Sequence, residues 1–398
     1  MSERPRRVAL VSTGRSDYFL VRALARGCEA NDLDTRLLAC GGLFGTDGLA
    51  SQVVEDFGNR AILLPTHVEG DFGGAFVRSA SNCLFAVGQA LEAVRPDAVL
   101  VLGDRFETLP AAFAAVQLGL PLIHVHGGEI SEGAIDDAIR HSISKLAHVH
   151  FVSAELHAHR LMQMGEEPWR VHVTGAPGLD VFAERTPLAS ETLSERFGVP
   201  FGEDAALVTV HPETIGAFDG SAAVRAVRIA LEAVGLRAIL TAPNQDKGRE
   251  PILAALRTWA DESPNVAYVP MLGEYYPDAL RAVGVVVGNS SSGLIEAASV
   301  PVPVLDLGER QAGRLKPPNV ISAPFEPKAV EAAIHQARSP EFMTMVANMT
   351  NPYGDGHACR KAGRILAGLA LDDRLLRKRF VEADCLPRIS EQPHRSRT

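Results

Sequence analysis

Titratable side chains crowd one short stretch of this chain, His124-Val125-His126-Gly127-Gly128-Glu129, followed by Asp136-Asp137, Arg140 and His141. Three chemistries are compatible with such a set. Two histidines two residues apart, with carboxylates nearby, suit a divalent metal that activates water. The carboxylates and an imidazole also suit metal-free proton transfer. The third possibility is a pair of hydrogen-bonded, partly buried histidines with no chemical task. On a strand His124 and His126 would face the same way, and Glu129 would leave the strand end through two glycines.

A second stretch, Gly288-Asn289-Ser290-Ser291-Ser292-Gly293, follows the apolar run Val283–Val287 and opens the helical run Leu294–Ala298. Glycines let a ligand approach the backbone, a helix N-terminus offers free N–H groups, and Ser290 and Ser291 add hydroxyls, which together suit a phosphate. Glu296, one turn in, is placed to accept from a ribose diol. An ordinary serine-capped turn has the same letters. Gly103-Asp104-Arg105 sets a carboxylate beside an arginine after another apolar run, suited to catalysis, to phosphate binding by Arg105, or to a structural ion pair. Arg15 could hold a distal phosphate while Asp17 caps a helix. His211-Pro212 and Pro243-Asn244 end two further runs, and a histidine at a cleft edge can carry a proton.

The elements that must position these residues alternate. Val8–Val11, Thr35–Ala39, Ala98–Leu102, Leu122–Val125, Val149–Val152 and Val171–Val173 read as strands apolar on both faces, hence parallel and buried. Asp17–Ala30, Ala75–Val94, Leu109–Leu118 and Ile135–Leu146 read as the helices between them. After a polar connection the pattern restarts with strands at Ala206–Val210, Arg237–Leu240, Val266–Val269, Val283–Val287 and Val302–Leu305. The fold class is therefore α/β, with two doubly wound Rossmann-like domains and a boundary near residue 180. Ligands of such sheets sit at the carboxyl ends of the strands, where all the residues above fall. Cys359–Phe380 reads as a last helix before a polar tail.

The remaining features narrow the function. GxGxxG, a Walker A lysine and HExxH are absent, and a GxSxG elbow would need glycine at 292, which is serine. The 398 residues are 46% apolar and 22% charged, enough for two cores. A net charge of -9 excludes a broad nucleic-acid footprint. Five cysteines, an odd number with no CxxC, predict reduced thiols and a cytoplasmic protein. No stretch approaches the roughly 20 apolar residues of a membrane helix, and Val8–Val11 is too short for a signal-peptide core.

In this order the pieces resemble the UDP-N-acetylglucosamine 2-epimerase family, most of all its hydrolysing branch in sialic-acid-type sugar synthesis. The match is carried by Gly14–Tyr18, Gly103–Glu107, His124–Glu129 with Gly133–Asp137 and Arg140-His141, Thr174–Pro177, His211-Pro212, Gly288–Gly293 with Glu296, Arg310-Gln311 and Asn351–Gly356. The resemblance implies a fold like the B-type glycosyltransferases. Residues 1–180 would form an N-terminal domain with the catalytic carboxylates and 181–358 a UDP-binding domain. Residues 359–398 would supply a helix crossing back to the first domain, then the tail. It implies that Ser290 and Ser291 hold phosphate, Glu296 the ribose, and that Met271 and Tyr276 lie near uracil. Arg15, Arg105 and Arg310 would complete the nucleotide site, and His211 and Asn244 would line its sugar side. Asp104 and Asp136 match acid/base positions, with Glu129, His126 and His211 as further catalytic candidates. His126 stands where animal relatives carry glutamate, Leu20 where some carry lysine, and Leu43 where histidine is frequent. The implied reaction needs no metal or cofactor: a UDP-sugar loses UDP through a 2-acetamidoglycal, and water adds back. A homo-oligomer, dimer or tetramer, is also implied. UDP-N,N'-diacetylbacillosamine is the alternative substrate, and a nucleotide-sugar glycosyltransferase the alternative activity.

Overall fold

The computed structural model describes residues 4–382 except 46–48, 71–72, 132–134, 214–217 and 245–247. Gly133, Ala134 and the polar tail therefore lie outside the described residues. The first sheet contains β1 (Arg7–Ser12), β2 (Asp34–Ala39), β3 (Ala61–Leu63), β4 (Ala98–Leu102), β5 (Leu122–Val125), β6 (Val149–Val152) and β7 (Val171–Val173). The second contains β8 (Gly202–Thr209), β9 (Arg237–Leu240), β10 (Val266–Tyr268), β11 (Val283–Gly288), β12 (Val304–Leu307) and β13 (Val320–Ala323). All pairings are parallel, in the orders β3-β2-β1-β4-β5-β6-β7 and β10-β9-β8-β11-β12-β13. Helices cover both faces, so every residue of β4, β5 and β6 is buried, which explains their uninterrupted apolar sequences. The strand order reverses between β1 and β4, and again between β8 and β11. Those are the switch points at which a doubly wound sheet opens a crevice.

Two strands have no counterpart in the sequence reading. β3 and β13 are short edge strands, partly exposed, whose Ala-Ile-Leu and Val-Ile-Ser-Ala segments carry too few apolar residues to stand out. The helix expected over Cys359–Phe380 is also broken. It runs Ala358–Gly368, turns extended at Leu369, and restarts as Asp373–Leu376, where Asp372 accepts from the Leu375 N–H. Arg170, buried, fixes this end by donating to the carbonyls of Leu375 (2.7 Å), Arg374 (3.1 Å) and Arg377 (3.2 Å).

Ala358–Gly368 packs on the first helix, Arg15–Glu29. Asp180 caps it, accepting from the N–H groups of Ala358 and Cys359 at 2.8 Å each. No helix among the described residues is long and apolar enough to cross a membrane.

Candidate active site

At the end of β1 the chain turns sharply into the first helix, and Asp17 holds the turn. Its carboxylate accepts from Ser12 Oγ (3.0 Å), Thr13 N (2.9 Å) and Gly14 N (2.8 Å), so Asp17 is a cap. Arg105, after β4, lays its guanidinium over this turn. A Cβ on Gly14 would come within 2.9 Å of Arg105 Nε, so glycine is what admits the arginine there. Arg15 begins the adjoining helix, half-buried.

The two histidines do different things. His124, on β5, is fully buried, with Nε2 2.9 Å from the Gly103 carbonyl and Nδ1 3.1 Å from Ser144 Oγ. Burial pushes its pKa down to about 3, so it is a neutral packing residue with both nitrogens engaged. β5 ends at Val125, and His126 takes a left-handed backbone, φ 66°. Strand alternation therefore stops short of it, contrary to the expectation that both rings face one way. Neither nitrogen of His124 is available to a shared metal, and among the described residues no group of three or more His, Cys, Asp or Glu could hold one.

A positive φ on a non-glycine residue is strained backbone of the kind found at functional sites. Here it brings His126 Nδ1 to 2.6 Å from Glu129 Oε1. Gly128 makes the return possible, because a Cβ there would overlap the His157 carbonyl. Glu129 is buried and also accepts from Ser153 Oγ at 3.0 Å, whose hydroxyl lies 2.9 Å from His157 Nδ1. Burial alone would raise the Glu129 pKa, but the neighbouring His126, which donates a hydrogen bond to it, and the Arg314 guanidinium hold it below the usual carboxylate range. An ionised carboxylate only accepts, so Nδ1 of His126 carries the hydrogen and Nε2 is left for proton exchange.

Asp104 follows β4 and pairs with buried Arg140, whose other nitrogen donates to the Glu129 carbonyl at 3.1 Å. Arg140 also donates to Ser131 Oγ at 3.0 Å and lies 3.6 Å from Asp137. Asp136 is exposed on the first turn of Ile135–Leu146. From the second domain, Arg314 reaches Ser131 Oγ at 3.1 Å and Glu129 Oε2 at 3.5 Å.

In the second domain Asn289 is the organiser. Its side chain brackets His211, accepting from the His211 N–H (2.7 Å) and donating to its carbonyl (3.0 Å). Its own carbonyl accepts from Gln311 (2.8 Å) and Arg310 (3.1 Å). His211 Nδ1 accepts from the Asn244 N–H at 3.0 Å, which fixes the tautomer with the hydrogen on Nε2. Burial, then Arg310, push its pKa down to about 3. His211 is thus a neutral donor rather than a charged acid. Ser290 caps the short helix Ser291–Ile295, with its Oγ 3.0 Å from Ser292 Oγ, which in turn meets Tyr276 Oη at 2.5 Å. Met271 is exposed, away from this cluster's hydrogen bonds.

Glu296 closes the arrangement. Its Oε2 is buried without a hydrogen-bond partner, and burial pushes its pKa up to about 7. Charges of the first-domain cluster, at His126 and Glu129, act on it together with that of Arg314. The structure thus gathers Asp104, His126 and Glu129 on one wall and His211, Asn244, Arg310, Ser290, Tyr276 and Glu296 on the other. Arg314, Ser131, Ser153 and His157 escaped the sequence reading. The one available signal for Arg314 was its place four residues after Arg310.

Two doubly wound domains, one carrying the serine-capped turn after β11 and the other the His126–Glu129 cluster after β5, have the architecture of the B-type glycosyltransferases. A family model described as UDP-N-acetylglucosamine 2-epimerase matches residues 29–367. The chain belongs to that family, whose members are nucleotide-sugar 2-epimerases. It is similar to a UDP-N,N'-diacetylbacillosamine 2-epimerase (hydrolyzing) of Legionella pneumophila, 31% identical over 94% of this chain and 98% of that one. It is 32% identical to a UDP-N-acetylglucosamine 2-epimerase of Neisseria meningitidis, over 84% of this chain and 88% of that protein. A crystal structure of a Neisseria meningitidis UDP-GlcNAc 2-epimerase bound to UDP-GlcNAc shares the fold, with a TM-score of 0.74, 18% identity, and coverage of 90% of this chain and 99% of that one.

Proposed function

We propose that the chain hydrolyses UDP-N-acetylglucosamine with inversion at C2, releasing UDP and N-acetylmannosamine. The observation that carries this reading is Glu296, whose Oε2 is buried without a hydrogen-bond partner and on whose carboxyl His126 and Glu129 of the first domain act electrostatically. A ribose diol bound at Glu296 with phosphates at Ser290, Ser291, Arg15, Arg105 and Arg310 leaves the sugar between the walls. Uracil would then approach Tyr276 and Met271. His211 Nε2–H and Asn244 would line the sugar and phosphate side.

The C2–H of the sugar adjoins no carbonyl and is barely acidic. Cleavage of the C1–O bond must therefore run ahead, with the electron pair leaving on UDP and positive charge building at C1. Ionised carboxylates on the first wall stabilise that charge, and the arginines stabilise the diphosphate. His126 Nε2 takes the C2 proton as the C1–C2 double bond forms. Water then adds its oxygen to C1, and a proton returns to C2 from the other face, with Asp104 and Asp136 as carriers. Each positioned acid or base is worth about 10²–10⁴-fold.

In deuterated water the released sugar should carry deuterium at C2, and in oxygen-18 water the label should enter C1 and not UDP. Label in UDP, or retention of the original C2 hydrogen, would sink the elimination. The coverage of the Legionella relative favours a second substrate, UDP-N,N'-diacetylbacillosamine, which undergoes the same steps. A panel of UDP- and GDP-sugars separates the two. We place the enzyme in sialic-acid-type sugar synthesis in the cytoplasm, supported by the free thiols of Cys28, Cys40, Cys83 and Cys359. A homo-oligomer is supported by the exposed apolar side chains Val77, Leu84, Phe85 and Phe113.

A further inference from the structure

Arg314 belongs to the second domain, on the loop after β12, yet its guanidinium ends among the first domain's titratable groups. Its contacts there are Ser131 Oγ at 3.1 Å and Glu129 Oε2 at 3.5 Å. The same loop touches the serine turn, because Arg310 and Gln311 donate to the Asn289 carbonyl. One short segment therefore contacts both walls. The Arg314 side chain is only 16% exposed, so its charge is poorly screened.

We propose that Arg314 is a positioning residue that keeps His126 neutral by balancing the Glu129 charge, and that it does so only while the two domains face each other. This rests on the 2-epimerase reading, in which His126 takes the C2 proton. Glu129 has three donors on its carboxylate, from His126 Nδ1, Ser153 Oγ and Arg314. With the guanidinium in place the carboxylate is already compensated, and a second cation at His126 is disfavoured. Remove Arg314 and the buried carboxylate draws a proton onto His126 Nε2, which abolishes the base.

The other charged groups facing this pair come from four elements. Glu296, from the second domain, favours the imidazolium, as Glu129 does. His124 on β5 and His157 on Glu155–Gln163 are held by burial at about 3 and about 4, and so are uncharged near pH 7. Arg140, on Ile135–Leu146, is committed to Asp104 and to the Glu129 carbonyl. Arg160 acts on His157 and donates to the Gly128 carbonyl at 3.3 Å. Arg314 reaches the Glu129 carboxylate itself, and its charge also acts on His157.

The test compares wild type, Arg314→Gln and Arg314→Lys in three measurements. These are the pH profile of kcat for UDP release, the melting shift given by UDP, and the His126 ring titration by NMR, assigned with His126→Gln. In Arg314→Gln the acidic limb and the ring titration should both move up by about one pH unit. Turnover should then fall about 10-fold at pH 6 and recover at pH 8.5. Arg314→Lys should stay near wild type, since it keeps the charge, and the UDP shift should persist in both. An unmoved His126 titration, an equal loss at every pH, or no rescue by lysine would overturn the role. Absence of turnover in wild type on every UDP-sugar would instead remove the functional reading, while the NMR titration would still decide the Arg314–His126 coupling.

Discussion

Gly27 and Gly363 cross with no room for a side chain: a Cβ on Gly363 would overlap the carbonyl oxygen of Gly27. A Cβ on Gly27 would likewise overlap the carbonyl of Cys359. These glycines let the C-terminal helix lie directly on Arg15–Glu29, the helix that begins at the β1 turn of the site.

That crossing is sensitive to volume. Gly27→Val should destabilise the protein by about 3 kcal/mol, because three carbons are forced against backbone that cannot give way. Urea unfolding of the variant and wild type checks this. A midpoint unchanged from wild type would mean that the C-terminal helix docks less tightly than the geometry requires.

The proton-transfer wall should be separable from the nucleotide wall. His126→Gln and Asp104→Asn are each expected to lose about 10²-fold or more in turnover. Both should keep the melting shift that UDP produces, since the groups proposed to bind UDP are mainly on the other wall. Near-normal turnover in both would leave Asp136 and Asp137 as the carriers.

Glu296 gives a pH signature. Burial raises its pKa from the ordinary 4.5 to about 7, so the free protein binds a proton there that the unfolded chain has lost. Stability from this group is therefore full below about 4.5 and given up as the pH rises towards 7. A ribose diol donating to it favours the ionised form, so nucleotide binding should expel the proton. Calorimetry at pH 6.5 in buffers of different protonation enthalpy should show wild type releasing roughly half a proton or more beyond Glu296→Gln on binding UDP. Equal release in the two proteins would detach Glu296 from the ribose.

The class of fold and many of the site residues are legible in the amino-acid pattern. Buried parallel strands must be apolar on both faces, so Ala98–Leu102, Leu122–Val125, Ala206–Val210 and Val283–Val287 are legible as central strands, and the residues that follow them as crevice residues. Asp104, His126, Glu129, His211, Ser290 and Glu296 were found in that way. Edge strands β3 and β13, half-wet and short, leave no such pattern. What each group does follows from the packing around it. His124 and His126 are near neighbours of one type, but one is walled in by Gly103 and Ser144 while the other is bent out on strained backbone against Glu129. His211 became a neutral donor because a backbone N–H of Asn244, 33 residues away, occupies its Nδ1. Arg314 joins the site from 185 residues beyond Glu129, because the loop after β12 of the second sheet packs against the residues that follow β5 of the first. Protonation, tautomer and pairing depend on burial and on charges a few ångströms off, and those distances are set by packing between segments far apart in the chain.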